Sequence, residues 1–252
     1  MTMKTKDAQL EANLEYLKLP FIRENYPSVA KKAATDQIGH LDFLSMLVEG
    51  ETSQRQENAF KARLRRARLP YTKYLGDFQW SHPDKINRQQ IENIFRLGFI
   101  DRKENVIFLG SCGMGKTHLA TALAAAACEK GYSTLFTSAA EMLNKLAAAM
   151  AENDIETAIK KYARPQLLVI DELGYLPIDK LGADMIFQII ARRYETGSIV
   201  ITTNRPFKKW AEIFNNDSTV TSVILDRIMH HCETVVIEGK SYRMKDKKTN
   251  HA

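Results

Sequence analysis

The sequence predicts an α/β fold in which a parallel sheet is flanked by helices and preceded by a small all-helical domain. Three observations indicate this fold. Residues 110–117 read GSCGMGKT and match the pattern G-x-x-x-x-G-K-[ST], between an apolar strand-like run and a helix-like run. Residues 167–170 are apolar and lead into Asp171 and Glu172, which is typical of a buried strand in a parallel sheet. Residues 1–69 show helical spacing.

The chain is predicted to contain two domains and a connector. Residues 1–69 are expected to form a helical domain that serves oligomerisation or DNA contact. Its three predicted helices are one that Pro20 ends, one over 21–36 and one over 41–68. An aromatic-rich connector, 70–84, leads to the main domain, 85–252, which opens with a predicted helix over 85–97.

The main domain alternates strand and helix candidates, which is the pattern of a parallel sheet. The strand candidates are 105–109, 134–138, 167–170, 198–204 and 234–237. The helix candidates are 118–127, 139–150, 179–196, 207–214 and 220–231. Because 134–138 lies between the loop strand and the strand that ends at Asp171, we expect one strand to be inserted between those two. The short stretch after Asn204 leaves little or no room for a separate helical lid.

The loop at 110–117 has the residue types that phosphate binding requires. Its glycines let backbone N–H groups close around phosphate oxygens, and the following helix N-terminus adds partial positive charge. We expect Lys116 to reach the β- and γ-phosphates and the Thr117 hydroxyl to ligate Mg²⁺. The predicted nucleotide-binding residues of the loop are Gly110, Ser111, Cys112, Gly113, Met114, Gly115, Lys116 and Thr117. The alternative is a glycine-rich turn without a ligand.

Two acidic residues at a strand end complete a candidate nucleotide-hydrolysis site. Ligands bind at the carboxyl ends of the strands in an open α/β sheet, and Asp171 is placed there to hold Mg²⁺ directly or through water. Glu172 is predicted to polarise a water molecule against the γ-phosphate. The alternative interpretation of both residues is a solvated acidic turn after a strand.

Two further side chains have an open assignment. Asn204 is predicted to orient the attacking water and sense the γ-phosphate, although it could instead cap the turn before Pro206. Arg227 could reach the γ-phosphate held by a neighbouring subunit, as an arginine finger does. From spacing alone, a salt bridge on the helix surface is the better interpretation of Arg227.

Composition and charge favour an acidic partner. The chain has 252 residues, a formal net charge of +6 at pH 7 and a pI of about 9.1, which is typical of nucleic-acid-binding proteins. A basic cluster before the connector consists of Lys61, Arg63, Arg65, Arg66 and Arg68. On a helix these residues surround one narrow apolar stripe, so we expect them, with Lys73, to contact DNA phosphates without much sequence preference. The alternative is a solvated helix face.

Other sequence features exclude several classes of protein. Three cysteines without paired spacing argue against a disulfide framework or a zinc site. The polar N-terminus has no signal-peptide core, and no apolar run is long enough to span a bilayer. We therefore expect a cytoplasmic protein without a membrane partner.

The motifs taken together resemble those of the IstB/DnaC-like AAA+ ATPases, and most closely the IstB-type transposition helpers of bacterial insertion sequences. The resemblance covers the chain from Phe78 to Arg243. The motifs that carry it are 110–120, DELGY at 171–175, RYE at 193–195, TTNRPF at 202–207 with Trp210, LDRI at 225–228 and SYR at 241–243.

The resemblance implies a P-loop NTPase of the AAA+ type that uses ATP and Mg²⁺. It implies that ATP-bound homo-oligomers assemble on duplex DNA, deform it, and recruit and stimulate a cognate transposase, while ATP hydrolysis resets the assembly. It adds His118 and Arg243 to the expected nucleotide-binding residues. It also makes Arg227 an expected trans-acting arginine.

Two other classes of protein remain open at this point. A replicative helicase loader of the DnaC type shares the core motifs, but it would prefer single-stranded DNA and bind a helicase. A small-molecule kinase would need an acceptor site and an arginine-rich lid, and the sequence shows no obvious example of either.

Overall fold

The structure is a computed structural model that describes residues 3–242, with side chains from residue 7 onward. The chain divides into two compact units, Met1–Ala62 and Arg63–Ala252. This division falls a few residues before the boundary that the sequence indicates at residue 69. Within the described range, no helix combines the length and the apolar character needed to cross a membrane.

The first unit is helical, as the sequence predicts. It contains α1 (Met3–Tyr16), α2 (Pro20–Thr35) and most of α3 (His40–Ala67). Pro20 lies in the first turn of α2, where its missing N–H has no intrahelical partner to lose. The buried carboxylate of Glu51 joins α3 to α2, because it accepts the Ile22 N–H at 3.2 Å and the Arg55 Nε–H at 2.9 Å.

The second unit is built on a five-stranded sheet in which all neighbouring strands are parallel. Its strands are β1 (Asn105–Gly110), β2 (Thr134–Ser138), β3 (Leu167–Leu173), β4 (Ser198–Thr203) and β5 (Cys232–Ile237). Their spatial order is β2-β3-β4-β1-β5. One strand is inserted between β1 and β3, as expected. It is β4 and not the expected 134–138 strand, because β2 pairs with β3 at the edge of the sheet.

Helices cover both faces of the sheet, which confirms the predicted fold class. They are α4 (Arg88–Ile94), α5 (Gly98–Asp101), α6 (Lys116–Lys130), α7 (Ala139–Ala151), α8 (Ile155–Ala163), α9 (Lys180–Arg193), α10 (Trp210–Ile213) and α11 (Ser218–Met229). Alternate strand residues face different cores. Phe108 and Val169 pack with α4–α6, whereas Ile107 and Ile170 pack with α7–α11.

Two segments differ from the sequence prediction, and the end of the described chain agrees with it. α8 is absent from the prediction, although Ile159 and Tyr162 have helical spacing and are buried in the core. The predicted helix over 85–97 is shorter, because Asn87 caps the start of α4 by accepting the Gln90 N–H and the helix ends at Ile94; Leu97 then adopts a left-handed conformation (φ 66°) immediately before α5. Beyond β5, the described chain continues to Tyr242 without a helical lid.

A buried arginine joins the connection before β3 to the start of β4. Arg193 is 1% exposed, and burial lowers its pKa to about 10, so it stays protonated at neutral pH. Its guanidinium donates to five backbone carbonyls at 2.7–3.2 Å, those of Tyr162, Ala163, Pro165, Gln166 and Ser198. The RYE motif therefore begins with a residue that holds the fold together.

Candidate nucleotide-binding site

The segment between β1 and α6 has the backbone geometry of a phosphate-binding loop. β1 ends at Gly110 and α6 begins at Lys116. Gly115 precedes α6 in the left-handed region (φ 83°), and a side chain there would meet the Phe78 ring at 2.7 Å. Gly113 is also left-handed (φ 79°). The first N–H groups of a helix have no intrahelical acceptor, so this end of α6 offers donors to an anion.

Hydrogen bonds hold the loop from inside and from outside. The Lys116 ammonium donates to the Ser111 carbonyl at 2.8 Å. The Tyr242 backbone N–H donates to the Gly113 carbonyl at 3.0 Å, so the segment after β5 packs on the loop. Arg243, which the resemblance assigns to nucleotide sensing, lies outside the described residues.

Asp171 is the buried carboxylate of the site. It is 6% exposed and lies near the carboxyl end of β3. Thr117 Oγ1 donates to its two oxygens at 3.0 and 3.1 Å, and Thr202 Oγ1 donates to Oδ1 at 2.5 Å. Burial raises the pKa of Asp171, whereas the two hydroxyl groups and the charge of Lys116 act in the opposite direction. The structure thus brings together Thr117 and Asp171, the two residues that the sequence predicts as metal ligands.

Glu172 has a left-handed backbone conformation (φ 58°), which is uncommon for a residue with a side chain. Its N–H donates to Thr202 Oγ1 at 2.8 Å. The pairing of β3 with β4 shifts register between Ile170 and Leu173, so Glu172 lies within a bulge. The exposed Glu172 lines the same cavity as Thr117. The predicted general base therefore lies next to the predicted metal ligands.

A cavity of about 400 Å³ opens over the loop. Its volume falls within the range of roughly 300–1,000 Å³ that is usual for small-molecule sites. Residues 112–118 of the loop and of α6 form one wall together with Glu172. The connector contributes another wall, which includes Tyr71, Lys73, Phe78 and His82. Lys73, which the sequence assigns to DNA contact, is thus placed at the candidate nucleotide site.

Aromatic side chains form the connector wall. The Phe78 ring packs edge-to-face on Trp80 and on His118, with ring centroids 5.0 and 5.5 Å apart. The Arg88 guanidinium lies over the Trp80 ring, 5.0 Å from its centroid, in a cation–π contact. Sequence reasoning missed the connector as part of the site. The available signal was its aromatic composition between residues 71 and 80.

Asn204 lies at the carboxyl ends of the strands, whereas Arg227 lies at their amino ends. β4 pairs Thr203 with Leu173, so the exposed Asn204 follows at the same carboxyl edge as the bulge. Arg227 lines a small hollow with Asn105, the first residue of β1. A strand of six residues separates its two ends by roughly 17 Å. Arg227 is therefore far from the phosphate loop of its own chain.

The contacts of Arg227 differ from those that spacing alone suggests. Its guanidinium lies 5.2 Å from the centroid of the Phe187 ring, and Nη1 donates to the Val223 carbonyl at 3.1 Å. These contacts take the place of the salt bridge that the sequence favours. They anchor the side chain at the amino ends of the strands.

The predicted DNA-contact residues have different surroundings. Lys61 forms an ion pair with Glu57 at 2.6 Å. The Arg63 Nε–H donates at 2.6 Å to the Cys128 carbonyl near the end of α6, and this carbonyl also accepts the Gly131 N–H at 3.2 Å. The exposed members of the cluster include Arg65, Arg66 and Arg68. Arg63 therefore has a structural contact, while the three exposed arginines are oriented towards solvent.

The parallel sheet, the phosphate loop before α6 and the adjoining pair of acids define a P-loop NTPase of the AAA+ type. A family model described as IstB-like ATP binding protein matches residues 12–250. The chain belongs to this family of ATP-binding proteins.

Two relatives and one solved structure illustrate the similarity. The insertion sequence IS232 putative ATP-binding protein of Bacillus thuringiensis subsp. berliner is 39% identical over 97% of this chain and 97% of that protein. The insertion sequence IS21 putative ATP-binding protein of Pseudomonas aeruginosa is 36% identical over 95% of this chain and 90% of that protein. The crystal structure of the DnaC helicase loader is similar with a TM-score of 0.51 and 25% identity, over 62% of this chain and 93% of that chain.

Proposed function

We propose that this protein is an ATP-dependent transposition helper of a bacterial insertion sequence. It hydrolyses ATP, binds duplex DNA as an ATP-bound oligomer, and recruits and stimulates the transposase of its element, and hydrolysis resets the assembly. The observation that carries the enzymatic part is the hydrogen bonding of Thr117 to Asp171 beside the phosphate loop. The printed names of the relatives, insertion sequence ATP-binding proteins, support the biological setting.

The nucleotide is proposed to lie in the cavity over the loop. Its phosphates bind the N–H groups at the start of α6, and Lys116 exchanges the Ser111 carbonyl for phosphate oxygens. The base then lies against the connector, where the exposed Tyr71 and the half-buried His118 offer aromatic surface for stacking. This assignment gives the connector a role in ATP binding.

The residues at the loop fit Mg²⁺. This ion prefers oxygen ligands and keeps several water molecules. The Thr117 hydroxyl donates its hydrogen to Asp171, which leaves lone pairs of its oxygen for a cation, and the Asp171 carboxylate supplies further oxygens. When bound, Mg²⁺ would neutralise charge on the phosphate oxygens.

Hydrolysis is proposed to use residues from two copies of the chain. Glu172 takes the proton of the attacking water, and Asn204 at the same edge of the sheet orients that water. Arg227 lies at the amino ends of the strands, away from the loop of its own chain, and completes the site of a neighbouring copy. Such a head-to-tail contact generates rings or helical filaments, so hydrolysis depends on oligomerisation.

The duplex DNA is proposed to contact Arg65, Arg66 and Arg68 through its phosphates. Replacing these three arginines with alanine should weaken binding to duplexes of any sequence. If each arginine neutralises one phosphate, the slope of the logarithm of the binding constant against the logarithm of the salt concentration should become shallower by roughly 0.9 for each arginine removed. A matched control replaces three exposed lysines of the main domain, Lys130, Lys208 and Lys209, which removes the same charge and should leave the affinity unchanged. Equal losses in both variants would remove the arginines from the interface.

The first test is ATP hydrolysis without DNA, with single-stranded DNA and with duplex DNA. We expect stimulation by duplex DNA of any sequence. The Lys116→Ala variant provides the control, because it should no longer bind nucleotide and so measures contaminating activity. Phosphate transfer to a metabolite in place of hydrolysis would support a small-molecule kinase and contradict the proposal.

A helicase loader is the second candidate function, and the similarity to the DnaC helicase loader structure favours it. The same assay separates the two. Stimulation by single strands alone, together with binding to a replicative helicase, would replace the transposition helper with the loader.

A further inference from the structure

Thr202 occupies a position between the two acidic residues of the site. It lies in β4, is fully buried, and contacts both residues through one oxygen atom. Thr202 Oγ1 donates to Asp171 Oδ1 at 2.5 Å and accepts the Glu172 backbone N–H at 2.8 Å. We propose that Thr202 is a positioning residue that couples the metal-binding carboxylate to the general base.

The direction of both hydrogen bonds follows from the chemistry of the partners. A backbone N–H can only donate, so the Thr202 oxygen must accept from Glu172. An ionised carboxylate can only accept, so the single hydroxyl hydrogen must point to Asp171. The hydroxyl therefore serves both residues in a single orientation, and a displacement of one acid disturbs the hydrogen bond to the other.

Glu172 depends on this contact because its backbone is strained. Its left-handed φ of 58° must be maintained by surrounding interactions. The ladder between β3 and β4 changes register between Ile170 and Leu173, and the Glu172 N–H donates to the Thr202 side chain. The hydroxyl thus replaces a backbone acceptor at the bulge. Without it, the Glu172 carboxylate loses a fixed position relative to the loop.

The neighbouring Thr203 offers a matched comparison. It is equally buried in the same strand, but its hydroxyl donates to the Leu173 carbonyl at 2.7 Å and makes no hydrogen bond with either acid. Thr203→Val therefore measures the general effect of removing a buried hydroxyl from β4. Thr202→Val removes a hydroxyl of the same kind from the coupling position.

The experiment compares the full-length wild type with Thr202→Val, Thr202→Ser and Thr203→Val. It measures kcat and KM for ATP, and separately the binding of a fluorescent ATP analogue as Mg²⁺ is titrated. For Thr202→Val we expect kcat to fall roughly 10–100-fold and the Mg²⁺ concentration for half-maximal binding to rise roughly 10-fold, as for outer-shell partners of other metal sites. Binding of the analogue without Mg²⁺ should be unchanged. Thr202→Ser, which keeps the hydroxyl, and Thr203→Val should both behave like the wild type.

Three results would overturn the coupling role: wild-type Mg²⁺ dependence in Thr202→Val, failure of Thr202→Ser to restore it, or an equal defect in Thr203→Val. If Thr202→Val does not fold, as judged by thermal melting, Thr202→Ala is measured in the same way. The inference rests on the proposed ATP hydrolysis, but the two can fail separately. An inactive wild type would contradict the proposed hydrolysis, whereas the Mg²⁺ titration of nucleotide binding tests Thr202 without turnover.

Discussion

Two inactive variants of this protein should restore each other's ATP hydrolysis when they are mixed. Glu172→Gln lacks the proposed base but keeps Arg227, and Arg227→Ala lacks the proposed trans-acting arginine but keeps Glu172. Each variant alone should be strongly impaired, by roughly 1,000-fold or more for the loss of an arginine finger. The mixture should recover activity because Arg227 cannot reach the phosphate loop of its own chain. Arg227 lies beside Asn105 at the start of β1, whereas the loop follows Gly110 at its end, roughly 17 Å away.

The size of the recovery follows from the geometry. A productive interface needs an intact Glu172 in one copy and an intact Arg227 in the copy beside it. In an equal mixture that assembles at random, about half of the sites have the base and about half of their neighbours have the arginine, so about one quarter of the interfaces are active. The mixture should therefore show about one quarter of the wild-type rate, far above either variant alone.

The assay measures steady-state phosphate release at constant total protein while the ratio of the two variants is changed. The rate should be greatest at equal amounts and fall to the low rate of a single variant at either end. Arg192→Ala is the control, since Arg192 forms an ion pair with Glu156 at 2.7 Å on the surface of the same domain and should be dispensable for hydrolysis. A mixture that is no more active than the average of its components, or an active Arg227→Ala protein, refutes the trans assignment.

Three other predictions concern the site and the fold. Glu172→Gln should retain ATP and accumulate as a DNA-bound oligomer in sedimentation experiments, and wild-type turnover would exclude Glu172 as the base. Arg193→Met leaves five carbonyls without this donor, so the free energy of unfolding should fall by about 3 kcal/mol and the melting temperature by roughly 6–12 °C. An unchanged melting curve would contradict this role of Arg193. A thiol reagent should label the exposed Cys112 before the other two cysteines, because burial raises the pKa of Cys128 and raises that of Cys232 to about 11. ATP should slow the labelling of Cys112, because this residue lines the cavity proposed for the nucleotide. Mass spectrometry gives the order of labelling, and equal labelling of Cys112 with and without ATP would place the nucleotide elsewhere.

The local parts of the site could be predicted because short-range chemistry determines them. The loop places its glycines, Lys116 and Thr117 in eight consecutive residues that join a strand to a helix. The acidic pair follows a run of apolar residues that can only be a buried segment. Each of these signals needs no knowledge of distant parts of the chain.

The remaining parts depend on contacts between segments that are remote in sequence. The position of β4 between β1 and β3 reflects strand pairing, which strand periodicity alone cannot specify. Thr202 reads as an ordinary β-branched strand residue, and its contact with Asp171 depends on the register of β3 against β4. The charge of Lys73 predicts DNA contact, whereas Lys73 and Phe78 line the cavity because the chain returns to the loop.

Helix α6 connects the phosphate loop at its start with the end of the basic helix α3 near its other end. One of its ends is the phosphate loop, and the carbonyl of Cys128 near the other end accepts the Nε–H of Arg63 from the last turn of α3. Its 15 residues span about 22 Å. The last turn of α3 is thus linked by a hydrogen bond to the same helix whose first residues border the cavity, so the basic cluster and the phosphate loop share one structural element.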